Sequence, residues 1–126
     1  LLKADELAQA LDLDGHIPIY GVSFDPGGAK IKPESRDQLG EIAKLLRTRT
    51  TLALHVVGHT DNQGEEAKNL DLSRRRAEAV VAALTGDFAV DPTRLMAHGL
   101  AGLAPLTSNS EEDGRAINRR IELVAR

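Results

Sequence analysis

The chain has no cysteine and no tryptophan, and only one tyrosine and two phenylalanines among its 126 residues. Without cysteine there is no disulfide framework and no thiolate metal site. So few aromatics argue against a base-stacking platform or an aromatic sugar cradle. Basic residues are not in excess. The formal net charge is −3, which argues against nucleic acid as the main partner, because phosphate binding needs a net basic face. No apolar run approaches the length of a membrane span, and no cationic-then-apolar signal segment opens the chain. The first residue is Leu rather than Met, so the expectation is a processed product or a domain excised from a larger protein, with an upstream domain as a potential partner. Hydrophobic residues at 41% and charged residues at 28% fit one globular domain with a single core.

The pattern along the chain predicts alternating helices and strands. Residues 3–15 read as a short helix with Leu7, Ala10 and Leu11 on one face and Gly15 as its stop. Residues 16–24 read as a strand, placed at a sheet edge by Pro18, and 25–33 as a Pro/Gly loop. Residues 33–49 give the clearest helix, with Pro33 in the first turn and Leu39, Ile42, Ala43 and Leu46 forming the buried stripe. Residues 51–59 are a strand. Residues 66–85 are helical, with a kinked first part and Ser73 capping the main segment. A short strand within 91–101, a long polar loop over 102–116 and a last strand over 118–126 complete the order. The fold class expected is α/β, a two-layer sandwich of a small mixed four-stranded sheet with helices packed on one face, in βαβαβ-β order. The last two strands, joined by a long loop, need not pair with each other.

The stretch GHTDNQGEEAKNLDLSRRRA, residues 58–77, concentrates the polar chemistry. His55 and His59 are four apart on a strand, roughly 13 Å, so one metal cannot bridge them. His16 and His98 read as ordinary surface or core-edge histidines, and no metal or cofactor is expected. Ser73, His59 and Asp61 contain the residue types of a hydrolase triad, but Ser73 lacks a G-x-S-x-G elbow and no oxyanion loop is evident. Gly27-Gly28 is too short to cradle a phosphate. Of the three consecutive arginines, Arg74 is placed to pair with Glu78 and Arg75 points to solvent. Arg76 flanks the buried face near the helix start, where it can reach over the strand end at His59-Thr60-Asp61. Two readings remain for Asp61 and Arg76. They form a structural ion pair, or they form an open clamp for a zwitterion, with a carboxylate on Arg76, an ammonium on Asp61, and Asn62 and Asn69 adding neutral hydrogen bonds.

The same residues carry a resemblance. The pattern T-D-x-x-G, then Asn, then L-S-x-x-R-A appears as Thr60, Asp61, Gly64, Asn69, Leu72, Ser73, Arg76 and Ala77. It is flanked by FDPGGAKIKPES and GRAINRRIELV, and the whole resembles the OmpA-like (OmpA/MotB) C-terminal domain. The likeness covers roughly residues 19–126, leaving 1–16 as an N-terminal extension, a short helix or linker end, and 17–126 as the domain. It implies a non-enzymatic module that binds peptidoglycan through the meso-diaminopimelate of the stem peptide. The implied location is the periplasm of a Gram-negative envelope, with tethering to the outer membrane through a segment absent from this chain. By position, Asp61 would hold the ammonium of diaminopimelate and Arg76 its carboxylate. Asn69 and Arg119 would support them, and the loop at Gly27 would offer backbone groups. The competing readings are an interaction scaffold with a closed Asp61–Arg76 ion pair and no ligand, and a wall hydrolase using His59 and Asp61.

Overall fold

A computed structural model describes all 126 residues. Four helices, α1 (Ala4–Asp14), α2 (Arg36–Thr48), α3 (Glu66–Asp87) and α4 (Glu112–Asn118), accompany four strands, β1 (His16–Ile19), β2 (Leu54–His59), β3 (Leu95–Gly99) and β4 (Arg120–Ala125). The sheet order is β1-β4-β2-β3. β2 and β3, joined through α3, are parallel, and β4 runs antiparallel between β1 and β2. The mixed two-layer α/β class expected from the sequence is therefore the class observed. β1, with its proline, does lie at an edge, and β3 and β4 do not pair.

Strand alternation divides the sheet into two faces. Ile19, Leu54, Val56, Leu95, Ile121 and Leu123 point to one side and are buried. There they meet Leu39, Ile42 and Leu46 of α2 and Ala77, Val80 and Leu84 of α3. The α2 and α3 stripes are those the helical spacing predicts. α1 joins the same core through Leu7 and Leu11. Its entry is fixed to α2 by a reciprocal pair: Leu2 N–H donates to Gln38 Oε1 and Gln38 Nε2 donates to Leu2 O, both 2.9 Å. The opposite face carries His16, His55, Val57, His59, Met96, His98, Arg120 and Glu122 and has no helix over it.

Three expectations are corrected. The first strand ends at Ile19 rather than at residue 24, because its partner β4 begins only at Arg120 and the last pair is Ile19 with Ile121. The polar loop over 102–116 contains the start of α4, a seven-residue helix too short to present an apolar stripe. The long helix runs unbroken from Glu66, and Ser73 does not cap it. Ser73 is buried in mid-helix, its hydroxyl donating to Leu70 O (3.0 Å) and accepting from Ala101 N–H (3.1 Å). A serine can bond back one turn in this way without ending a helix. α3 crosses the sheet very close to this point. A Cβ on Gly58 would overlap the Ser73 carbonyl, and one on Gly99 the Arg74 amide.

Candidate functional site

The chain leaves β2 at His59, and Thr60 N–H donates to Ala101 O at 2.9 Å, which fixes the exit. Asp61 follows at once. Its Oδ1 accepts from Gln63 N–H at 2.9 Å, forming an Asx turn, and its Oδ2 accepts from Arg119 Nη1 at 2.8 Å. Asn69, in the second turn of α3, ties this loop to the helix by donating to Gln63 O at 2.8 Å. Asp61 is thus a buried carboxylate held from two sides. A carboxylate accepts up to about four hydrogen bonds, so this one retains capacity.

Arg76 reaches the same place from the other wall. Residues Asp25-Pro26-Gly27-Gly28 form a tight turn closed by Gly28 N–H donating to Asp25 O at 3.0 Å. Gly27 sits at φ +70°, the conformation that proline followed by glycine supplies in a type II turn. Arg76 Nε donates to Gly28 O (2.7 Å) and Nη2 to Asp25 O (3.2 Å). Its guanidinium lies 5.1 Å from the centroid of the Phe24 ring, a cation–π contact. No carboxylate pairs with it. Burial, helped by the nearby charges of Arg75 and Arg119, lowers its pKa from the usual value, though a guanidinium stays protonated. Arg119, at the end of α4, is the opposite case. Glu112, through Oε2 at 2.6 Å from Nη2, and Asp61 both bond it, and these bonds raise its pKa.

Between the two walls lies a cleft of about 600 Å³ lined by Gly27, Asp61, Asn69, Arg76, Arg119 and Glu112, with His59, Arg120 and Tyr20 also along it. Five of the six sequence-predicted residues meet there. Asn62 does not. It is exposed and lines a neighbouring hollow with Gly64, Glu66 and Gly102. The closed Asp61–Arg76 ion pair expected of a scaffold is not formed, because Asp61 pairs with Arg119 and Arg76 with backbone carbonyls. Nor do Ser73, His59 and Asp61 bond to one another as a triad. Ser73 bonds Leu70 and Ala101, and Asp61 bonds Gln63 and Arg119.

His59 is buried beside the cleft with Nδ1 unpartnered, and its pKa is pushed down to about 4 by burial and by Arg120, so near neutral pH it is an uncharged imidazole. Glu112, like Tyr20 and Arg120, is a cleft residue that the sequence reading missed. Its signal is the seven-residue spacing to Arg119, two turns along one helix face, legible only once α4 is known to be helical.

The sequence model of the OmpA family matches residues 23–119. Outer membrane protein A of Bordetella avium is 40% identical over 100 residues, covering 79% of this chain and 51% of that protein. The cell wall anchor of the T6SS from Pseudomonas aeruginosa superposes with a TM-score of 0.74 at 27% identity, covering 98% of this chain and 96% of the other. The peptidoglycan-associated lipoprotein from Burkholderia pseudomallei gives 0.73 at 26%, covering 90% and 91%. The chain spans about half the length of the first curated relatives it matches.

Proposed function

The chain belongs to the OmpA family, and from that premise we propose that it binds cell-wall peptidoglycan non-covalently and anchors a larger envelope protein to the wall. Two of its structural neighbours are by name a cell wall anchor and a peptidoglycan-associated lipoprotein, which supports the reading by kinship. The observation that carries it physically is Arg76. A half-buried guanidinium with no carboxylate partner faces the same cleft as a buried carboxylate, Asp61. A buried cation without a counter-ion is costly, and a ligand carboxylate at Arg76 relieves that cost through charge-assisted bonds.

The ligand group we assign is the meso-diaminopimelate of the stem peptide, whose free end carries both an ammonium and a carboxylate. The ammonium goes to Asp61 and the carboxylate to Arg76. Arg119 holds Asp61 in place, Asn69 secures the loop that presents it, and Gly27 lets the wall approach without a side chain in the way. The role is binding rather than turnover, and the compartment is the periplasm, with the tether supplied by the larger protein.

The test is calorimetric titration with the diaminopimelate stem peptide and, as control, the lysine peptide. Asp61→Ala and Arg76→Ala should each lose about 2–4 kcal/mol of binding, roughly 30- to 1,000-fold in affinity. Amidated diaminopimelate should bind the wild type more weakly, and Arg76→Ala should no longer distinguish it. A folded wild type that ignores the peptide would sink the proposal.

A further inference from the structure

The helix-free face of the sheet carries all four histidines of the chain. Two of them converge. His55 Nδ1 on β2 and His98 Nε2 on β3 are 2.8 Å apart, with ring centroids 4.8 Å apart and planes tilted by 60°. A hydrogen bond at this distance needs one ring nitrogen as acceptor, so at least one lone pair already points at the space between the rings. The cross-strand register sets a methionine beside the pair. Met96 is the strand partner of His55 and lies two residues before His98, on the same face. It is the chain's one methionine, and it stands 46% exposed where a buried thioether would be the ordinary choice.

We infer that His55, His98 and Met96 form a binding site for a soft monovalent d-block cation, Cu(I), on the open face of the sheet. Two imidazole nitrogens on one metal, at about 2.0–2.1 Å each and a tetrahedral angle, stand roughly 3.3 Å apart. The present 2.8 Å opens to that by small rotations of two half-buried side chains, with the metal taking the place of the shared proton. No third His, Asp or Glu joins the pair; the register sets Met96 beside His55, and a thioether selects Cu(I) over harder divalent ions. Charge points the same way. Arg126 lies close enough to act on His55, and its repulsion of a monovalent ion is half that of a divalent one. The site is separate from the cleft, since His55 precedes His59 by four strand residues, roughly 13 Å.

The experiment is anaerobic competition for Cu(I) between the whole chain and the coloured chelator bathocuproine disulfonate, with Zn(II) titrated in parallel. The wild type should withdraw one equivalent of Cu(I), and the His55 and His98 ring resonances should shift together while His16 stays put. His55→Gln and His98→Gln should each weaken Cu(I) at least tenfold. Met96→Leu, close in volume, should weaken Cu(I) and leave Zn(II) unchanged, and His16→Gln should match the wild type. Failure of the wild type to compete, or a His98→Gln variant that holds Cu(I) as well as the wild type, overturns the site. Zn(II) bound as tightly as Cu(I), or no effect of Met96→Leu, overturns the assignment of metal and sulfur. The ring shifts are read on the wild type, so a variant that fails to fold leaves the test standing.

Discussion

Two ionic clusters lie side by side in this molecule, one closed and one open. In the closed one, Glu122 accepts from Arg120 Nε at 2.8 Å and from His16 Nδ1 at 2.5 Å. Arg120 then spends its other nitrogens on Asn118 O and Ala104 O. The two charged side chains are only 9% and 2% exposed. In the open one, Arg119 is bonded by both Asp61 and Glu112, Asp61 keeps acceptor capacity, and Arg76 beside them makes do with two carbonyls and a ring face. Residue types are similar, although Arg119 and Glu112 are more exposed, at 36% and 61%. The difference is whether every charge has its counter-charge within the chain. Where it does, the cluster joins β1 and β4 and leaves nothing for a ligand. Where it does not, the cleft is polarised, with a free cation on one wall and an anion on the other.

Breaking the closed cluster should have the largest effect. Glu122→Ala leaves Arg120 buried without its carboxylate, and removing one partner of such a pair costs about 3–5 kcal/mol of stability, read as a lower urea midpoint. Arg76→Ala sharpens the comparison from the other side. It should remove the roughly 2–4 kcal/mol of peptide binding while changing folding stability by about 1–2 kcal/mol, since two hydrogen bonds to loop carbonyls and the contact with the Phe24 ring are lost but no ion pair is broken. A comparable stability loss at both positions would mean that Arg76 too is structural.

The sequence makes these two clusters unequally legible. Asp61, Asn69 and Arg76 lie in one continuous stretch, so strand-then-helix order alone brings them to one end of the sheet. The stripes of α2 and α3 and the edge position of β1 follow from periodicity and from Pro18 in the same local way. What cannot be read locally is which charges find each other. Arg119 meets Asp61 from 58 residues away, and His98, which looks isolated in the sequence, meets His55 across 43. Both pairings depend on strand order, and β4 inserts between β1 and β2 although it comes last in the chain. Ser73 misleads for another reason. The first two turns of α3 are largely exposed and carry no apolar stripe, so the apolar pattern starts the helix only where its buried face begins.

Acid should expose the contrast as well. The folded pKa of His59, about 4, lies below the usual 6.5, so between those values the unfolded chain binds the extra proton. Stability therefore is full above pH 6.5 and is lost as pH falls toward 4, by on the order of 3 kcal/mol. Glu122, although burial alone would raise its pKa, is held below the usual carboxylate value by bonds from Arg120 and His16, and its contribution is lost at still lower pH, in the same direction. Urea midpoints at pH 7 and pH 5 should differ for the wild type, and His59→Gln should flatten that difference.

The smallest effect belongs to the third set of charges, on the solvent side of α3. Arg74 bridges Asp71 and Glu78, and Arg75 also reaches Asp71. The geometry, at 2.8–2.9 Å, equals that of the Arg120–Glu122 and Arg119–Asp61 pairs at 2.8 Å, and the bonds lower the pKa of Asp71. Yet all four side chains stand about half exposed, so water and salt screen them and long side chains lose entropy in holding the pairs. Asp71→Asn should leave the urea midpoint and the peptide affinity within error of the wild type. If it moved either as far as Glu122→Ala or Arg76→Ala does, exposure to solvent would not be what makes these pairs weaker than the equally short Arg120–Glu122 pair.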